Sequence, residues 1–175
     1  MRIMKIATAA LFLGAAGVLT FAAPAFADTG TTTPVTVLVT GGALGISAPA
    51  ASVALGTAPG SASSQTVTGS LGPVVVTDLR AGIAGWVATA GSSAFTGPTA
   101  LLGSAAAYAP GTAVVTGTAT VTATNLASMI TPGTTQTATA VLGVNTATWN
   151  PSITVTLPAG AQAGTYGATI THSVS

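Results

Sequence analysis

The sequence predicts an all-β protein, folded as a single antiparallel β-sandwich of the Ig-like or Greek-key kind or as a related, partly closed barrel. Two observations predict this class. Apolar and polar residues alternate with period two through several segments rich in valine, isoleucine and threonine, as in half-buried strands. Short segments rich in glycine, proline and serine separate these runs at intervals typical of sandwiches.

The alternation is clearest in three segments of the second half. In "TAVVTGTATVTATN" every even position from Thr116 to Thr124 is threonine, whereas the odd positions are small or aliphatic. The segment "SITVTLP", 152–158, places its aliphatic residues on one face and its hydroxyl residues on the other. In "TYGATITHSVS", 165–175, the even positions are mostly apolar and the odd ones are glycine, threonine or serine. Each segment therefore predicts a strand with one buried face.

The remaining strand predictions rest on shorter runs with weaker alternation. Two other segments, "TALLGSAAAYA" at 99–109 and "NLASMI" at 125–130, are compatible with short helices. The additional predicted strands are "TPVTVLVT" at 33–40, "ISAPAASVALG" at 46–56, "SQTVTGSL" at 64–71, "GPVVVTDLR" at 72–80 and "IAGWVATA" at 83–90.

Residues 1–27 have the three parts of a secretory signal peptide. Arg2 and Lys5 are basic, and the following run is apolar. The run ends in "APAFA", where Ala25 and Ala27 supply the small-x-small pattern that signal peptidase recognises. We therefore expect cleavage after Ala27, a short flexible lead-in over 28–34 and one domain over 35–175. An uncleaved membrane anchor is the alternative. No later stretch is apolar enough to predict an integral membrane span.

After cleavage the chain would carry almost no charge. Its ordinary titrating side chains would be Asp28, Asp78, Arg80 and His172, with a formal charge of −1 from one arginine and two aspartates. A chain with so little charge has no basic surface that would bind nucleic acid or anionic lipid. The sequence is 49% hydrophobic, whereas disordered chains combine low hydrophobicity with high net charge. We therefore expect a folded domain.

Catalytic chemistry has few side chains to use. A carboxylate pair would have to be Asp28 and Asp78, and a Ser-His-Asp triad would need His172 with one of many serines that no Gly-x-Ser-x-Gly motif singles out. One histidine and two aspartates cannot complete a zinc site, and no cluster of oxygen ligands suits calcium. With no cysteine there is no thiolate and no disulfide. The sequence predicts no enzymatic activity, no cofactor and no metal.

Two of the scarce charges, Asp78 and Arg80, lie two residues apart and shortly before Trp86. Residues i and i+2 of a strand share a face, and the glycines after Arg80 predict a hairpin turn. An even-numbered loop would place Trp86 on the opposite face, and a three-residue loop with a glycine bulge would place it on the same face. In the second case Arg80 would cover the indole as a cation–π pair, while Asp78 would orient the guanidinium or accept turn N–H groups. We interpret the segment as an architectural clamp, with a ligand site as the alternative.

Trp86, Trp149 and His172 complete the candidate binding residues. Exposed tryptophans on a β-surface would stack on sugar rings, whereas a sandwich with so few large residues favours placing them in the core. Trp149 precedes an Asn-Pro pair, and its position stays open. His172 lies on the apolar face of the last predicted strand, which favours a neutral, hydrogen-bonded core histidine over a functional one.

The segment "VTDLRAGIAGWVATAGSSAFTG", 76–97, resembles the proximal motif of the WxL cell-surface domain. It has that motif's Asp-x-Arg, following glycines, Gly-Trp and later Phe-Thr. The segment "LGISAPAASVALG" at 44–56 resembles the family's opening strand and proline-containing strand, and "ITVTLPAGAQAGTYGATITHSVS" at 153–175 resembles its closing segment. The resemblance thus spans most of residues 35–175.

The sequence differs from the family at both Trp-x-Leu motifs. The first is Trp86-Val87-Ala88, and His172-Ser173-Val174 stands where the second is expected. The resemblance implies a secreted β-domain of Gram-positive bacteria that is held non-covalently on the cell wall through peptidoglycan.

These observations predict a secreted, non-enzymatic surface protein associated with the cell wall, with cell-wall polysaccharide, peptidoglycan or other surface proteins as partners. The alternative is a self-assembling structural or adhesive subunit, a homo-oligomer, because charge usually protects strand edges from pairing and is almost absent here. A third interpretation takes the alternating threonines as an ice-binding array, although a sandwich twists and such an array requires a flat surface.

Overall fold

The computed structural model describes residues 30–102 and 105–175 of the chain. Contacts divide the chain into a unit over residues 1–37 and a unit over residues 38–175, and every strand of the described residues lies in the second unit. The predicted signal peptide, 1–27, lies outside the described residues. Of the predicted lead-in, residues 30–34 are exposed and have no regular structure.

The described residues form nine β-strands and no α-helix. They build two antiparallel sheets that form a nearly closed, barrel-like sandwich, which confirms the predicted fold class. In chain order the strands are β1 (Leu44–Ser47), β2 (Gln65–Ser70), β3 (Val74–Asp78), β4 (Trp86–Ser92), β5 (Ala106–Ala109), β6 (Val114–Ala123), β7 (Gly133–Trp149), β8 (Ser152–Leu157) and β9 (Ile170–Val174).

The larger sheet is organised around β7, which has 17 residues. Its strand order is β1-β3-β7-β4-β9, and β6 also pairs with β7. The register of β6 extends along most of one edge of β7, from Val114 opposite Thr148 to Ala123 opposite Gln136. The smaller sheet has the order β2-β8-β5.

The other edge of β7 pairs with two strands in succession. Asp78 of β3 lies opposite Asn145, and Trp86 of β4 lies opposite Ala138. Both strands are antiparallel to β7, so the chain from β3 to β4 continues in one direction along the same edge. The predicted hairpin between these strands is therefore wrong, because residues 79–85 connect two collinear strands instead of reversing the chain.

A local bend in β6 and β7 lies beside this connecting loop. Ala140 and Gly143 of β7 have φ of 50° and 73°, in the left-handed region, and Gly117 of β6 has φ of 86°. The β6–β7 register shifts between Gly117 and Thr120. The backbone N–H of Gly143 donates a hydrogen bond of 2.9 Å to the carbonyl of Gly82 in the loop. At this bend the connecting loop is hydrogen-bonded to β7, although the loop itself is not a strand.

The core consists of two clusters of buried residues. The first lies on the inner face of the larger sheet around Trp86 and Trp149, with valines and alanines of β3, β4 and β7. The second lies around Tyr108, Met129 and Ile153 and includes residues from both sheets. Since the chain has no disulfide, the described fold is stabilised by this burial and by its hydrogen bonds and ion pair.

The three alternating segments have the predicted faces. The threonines of β6 are exposed, whereas Val115, Ala119 and Val121 are half-buried against the first core cluster. In β8 the residues Ile153 and Val155 are buried. In 165–175 each even position is half-buried and each odd position is exposed, although the strand itself covers only Ile170–Val174.

Several other predicted elements differ from the structure. Residues 33–40 form no strand, because no neighbouring strand pairs with them among the described residues. Of 46–56 only the first two residues lie in a strand, β1. The helix-compatible segment 99–109 ends in strand β5, which pairs with β8, and Leu126 of 125–130 forms an isolated bridge with Tyr108. Sheet pairing overrides the weak local helix propensity in both cases.

We predict that Gly117→Ala destabilises the fold more than Gly143→Ala does. An added Cβ would overlap the carbonyl oxygen of Val144 and lie 3.1 Å from Cα of Asn145, at a φ that disfavours side chains. The expected loss in the free energy of unfolding is about 2–3 kcal/mol. Gly143→Ala, whose Cβ would meet no atom within 4 Å, should cost only about 1 kcal/mol from backbone strain.

Urea unfolding of the two variants measures this difference. Gly45→Ala, with an ordinary φ and open space around the new Cβ, is the control and should leave stability nearly unchanged. Equal losses for Gly117→Ala and Gly143→Ala would contradict the proposed close approach of β6 to β7.

Candidate functional site

The scarce charges lie at the end of β3, on the inner face of the larger sheet. Asp78 follows Val74 and Val76 on the buried side of the strand, and its side chain is only 2% exposed. Arg80, two residues later, lies at the start of the connecting loop with 32% of its side chain exposed. A buried carboxylate therefore has a partly exposed cation as its partner.

Asp78 and Arg80 form a bidentate ion pair. Nε of Arg80 donates to Oδ1 of Asp78 and Nη2 donates to Oδ2, both at 2.9 Å. The backbone N–H of Arg80 also donates to Oδ1 at 3.1 Å. Nη2 further donates to the carbonyls of Ala84 and Gly85, at 3.2 and 3.0 Å. The guanidinium thus connects the beginning of the loop to its end.

Asn145 connects the ion pair to Trp86. Its Nδ2 donates to Oδ2 of Asp78 at 3.4 Å, and its Oδ1 accepts a hydrogen bond of 3.1 Å from Nε1 of Trp86. Asn145 lies opposite Asp78 in the register of β3 and β7. Asp78 and Trp86 thus contribute to the same face of the sheet, which is the alternative for which a cation–π contact was expected, but the amide of Asn145 connects them instead. Among the described residues, Arg80 makes no cation–π contact.

We name these four residues, Arg80, Asp78, Asn145 and Trp86, the clamp. Hydrogen bonding to Arg80 is the main cause that lowers the pKa of Asp78 below its ordinary value of 3.8, against an opposing contribution from burial. The same hydrogen bonds raise the pKa of Arg80. Both groups therefore stay ionised over the physiological pH range.

The carboxylate of Asp78 has no acceptor capacity left for another molecule. It accepts four hydrogen bonds, three from Arg80 and one from Asn145, and a carboxylate has about four lone-pair sites. A saturated, ionised carboxylate is a poor general acid or base at neutral pH. The clamp is suited to holding the loop between β3 and β4 against β7.

Trp149 is part of a second polar contact. Its Nε1 donates to Oη of Tyr108 at 3.4 Å, and Oη of Tyr108 lies 3.1 Å from Nε2 of His172. The rings of Tyr108 and His172 are tilted by 57°, with centroids 5.8 Å apart. Trp149 and Tyr108 are each at most 1% exposed, and His172 is half-buried. These three residues connect β7 and β9 of the larger sheet to β5 of the smaller sheet.

Burial keeps this second group of residues uncharged. It raises the pKa of Tyr108 to about 12 and lowers the pKa of His172. His172 is therefore neutral at pH 7, and the hydrogen bond to Tyr108 joins two neutral groups. The structure thus places His172 at the edge of the core, with its pKa below the ordinary value.

Two residues of these contacts were missed from the sequence. Asn145 occupies a buried position of β7 in line with Ala147 and Trp149. An asparagine on the apolar side of an alternating strand was the available signal, since such an amide needs a buried partner. Tyr108 stood in a segment compatible with a helix, and its pairing with β8 follows only from the tertiary fold.

Other features typical of binding sites are sparse in the described part of the chain. No group of three or more histidine, aspartate or glutamate residues there could hold a metal ion. No described helix is long and apolar enough to cross a membrane. An open cavity of about 550 Å³ is lined by alanine, leucine, serine, threonine and proline, without a titratable side chain among its described lining.

Comparison with known proteins yields no relative. No family model matches the chain, and neither a curated protein nor a solved structure matches it.

We predict that below about pH 4 acid destabilises the protein mainly through Asp78. Because the folded-state pKa of Asp78 is lowered, its stabilisation is complete above the unfolded pKa near 3.8 and is lost as the pH falls through the folded value. Asp78→Asn should cost about 2 kcal/mol at pH 7 and remove most of this acid dependence. Urea unfolding between about pH 2 and 7 measures both effects.

Asp28→Asn is the matched control, since Asp28 is the only other aspartate and the chain has no glutamate. This variant should keep the acid dependence. An unchanged pH profile in Asp78→Asn would refute the assigned role of the ion pair.

We also predict that the single histidine titrates below its ordinary value. Burial lowers the folded-state pKa of His172, so the unfolded chain takes up a proton first as the pH falls below about 6.5. Stability should therefore decrease from about pH 6.5 down to the folded pKa. The NMR titration of the one imidazole gives the midpoint directly. Tyr108→Phe removes the hydrogen bond but keeps the ring, so the midpoint should stay below 6.5; a midpoint above 6.5 would contradict burial as the cause.

Proposed function

We propose that the protein is an exported, non-enzymatic cell-surface protein that associates non-covalently with the cell wall and uses its β-sandwich as a scaffold. One observation carries this proposal: the ion pair and both tryptophans are used in internal contacts. Asp78 is saturated by hydrogen bonds, and Trp86 and Trp149 are buried. The side chains that would be the first candidates for catalysis or for stacking on sugar rings are therefore occupied by contacts within the fold.

The proposed location depends on the sequence. The basic start, the apolar run and the small residues before Ala27 support export. The likeness of residues 76–97 to the WxL proximal motif supports a place on a Gram-positive cell wall. No cofactor or metal enters the proposal.

The surface that would contact the wall is neutral and rich in hydroxyl groups. Thr116, Thr118, Thr120 and Thr122 are exposed along β6, and hydroxyls can donate to and accept from the hydroxyl and amide groups of peptidoglycan. Because the indoles of Trp86 and Trp149 are buried, they would support this surface from within instead of stacking on the glycan. Binding of this kind involves little charge and depends weakly on salt.

We predict that the purified protein is retained on isolated peptidoglycan, and that retention changes little between about 0.05 and 0.5 M NaCl. Trp86→Phe, which keeps a buried aromatic ring, should be retained equally if it remains folded. A neutral β-sandwich protein of similar size is the control for non-specific retention in the peptidoglycan preparation. Retention no greater than that of the control would eliminate wall binding.

A second candidate function is self-assembly into a structural or adhesive layer. It is favoured by the edge of β6, a ten-residue strand that pairs only with β7 among the described residues and carries no charged side chain. Charged residues, proline and short length are the usual protections of a strand edge. This edge has none of these three, and its irregularity is confined to the register shift between Gly117 and Thr120. The edge is therefore available for pairing with another strand.

A further inference from the structure

Residues 34–40, "PVTVLVT", have the pattern of a strand but no partner strand. Val35, Val37, Leu38 and Val39 are between 78% and 87% exposed. None of the described residues before Leu44 lies in a strand. Large aliphatic side chains are rarely left so exposed in one continuous stretch, and such a stretch commonly marks an interaction surface.

The edge of β6 is incompletely covered on its inner side. Val115, Ala119 and Val121 pack against the first core cluster but stay half-buried. The threonines between them are exposed on the opposite face. The sheet therefore ends at β6 with an apolar row on one side, a hydroxyl row on the other and one backbone edge unpaired by any described strand.

We propose that residues 34–40 of one copy add as an extra strand to the β6 edge of a second copy. This inference rests on the second candidate function, self-assembly, and not on wall binding. Valines at 35, 37 and 39 alternate with Thr36, Leu38 and Thr40. On the β6 edge the valines would cover the half-buried apolar row, and the two threonines would extend the hydroxyl row. The backbone N–H and C=O groups on the outer edge of β6 would pair with those of the added strand, as in other cases of strand addition.

The other edges of the described sheets fit this segment less well. The edge strands β1 and β5 have only four residues each, and the edge strand β9 has five, fewer than the seven of the segment. The strand β2 has a neighbouring segment close to it, since a Cβ on Gly69 would lie 2.9 Å from Cα of Leu55. The strand β6 has ten residues, enough for all seven of the segment. A second copy is favoured over a charged partner because both surfaces carry no charge.

The first measurement is the mass of the protein in solution, by light scattering over a wide concentration range, with protein purified from an exporting host. We expect association that grows with concentration. Val37→Asp places a charge in the middle of the added strand and should weaken association at least about tenfold. Ile83→Asp is the matched control: Ile83 is 80% exposed in the connecting loop, and its substitution should leave association unchanged.

The second measurement locates the contact by disulfide formation between introduced cysteines. Because the chain has no cysteine of its own, the introduced residues are the only thiols that can react. A Thr36→Cys chain is mixed with chains carrying Thr118→Cys, Thr120→Cys or Thr122→Cys. We expect disulfide-linked heterodimers with at least one of these β6 variants, since cross-strand neighbours on one face are close enough for a disulfide. A Thr66→Cys chain, altered on the edge strand β2, should not crosslink.

The outcomes separate the two proposals. A monomer at every concentration overturns both self-assembly and strand addition. Association that Val37→Asp does not weaken, or crosslinks that form only with Thr66→Cys, overturns strand addition and leaves self-assembly standing. Weakening by Val37→Asp together with crosslinks to β6 supports both.

Discussion

The structure depends on one buried carboxylate. Asp78 lies on the inner face of the larger sheet, where an isolated charge would be strongly unfavourable. Arg80 and Asn145 satisfy it with four hydrogen bonds, and Asn145 in turn accepts the indole N–H of Trp86. Because these bonds connect β3, β7 and the start of β4, they fix the place where the chain passes from one strand to the next along β7.

Elsewhere the protein has almost no charged side chains, and this determines the character of its surface. Within the described residues, one buried side-chain polar atom, Oε1 of Gln136, has no hydrogen-bond partner. The exterior of the fold consists largely of threonine, serine, glycine and alanine. Such a surface suits contact with neutral polymers or with copies of the same chain, because electrostatic repulsion does not oppose it. The edge of β6 and the exposed valines before β1 are the two surfaces that the proposed assembly would bring together.

Sequence patterns predicted the fold class and the faces of the clearest strands, because side-chain alternation is a local property. The topology around β7 is not local: it brings Asn145, far along the chain, between Asp78 and Trp86. The hairpin prediction failed because it treated Asp78 and Trp86 as neighbours across a turn. For the same reason Tyr108, which lies within hydrogen-bond distance of His172, could not be identified before its strand was known.

The central claim is that Asp78 and Trp86 act together through Asn145 as an architectural unit. A double-mutant cycle of Asp78→Asn and Trp86→Phe, measured by urea unfolding at pH 7, tests it most directly. We expect a coupling free energy of at least about 0.5 kcal/mol, and we expect this coupling to disappear when the cycle is repeated in an Asn145→Ala background. Additive losses in the wild-type background would show that Asp78 and Trp86 are not coupled through Asn145.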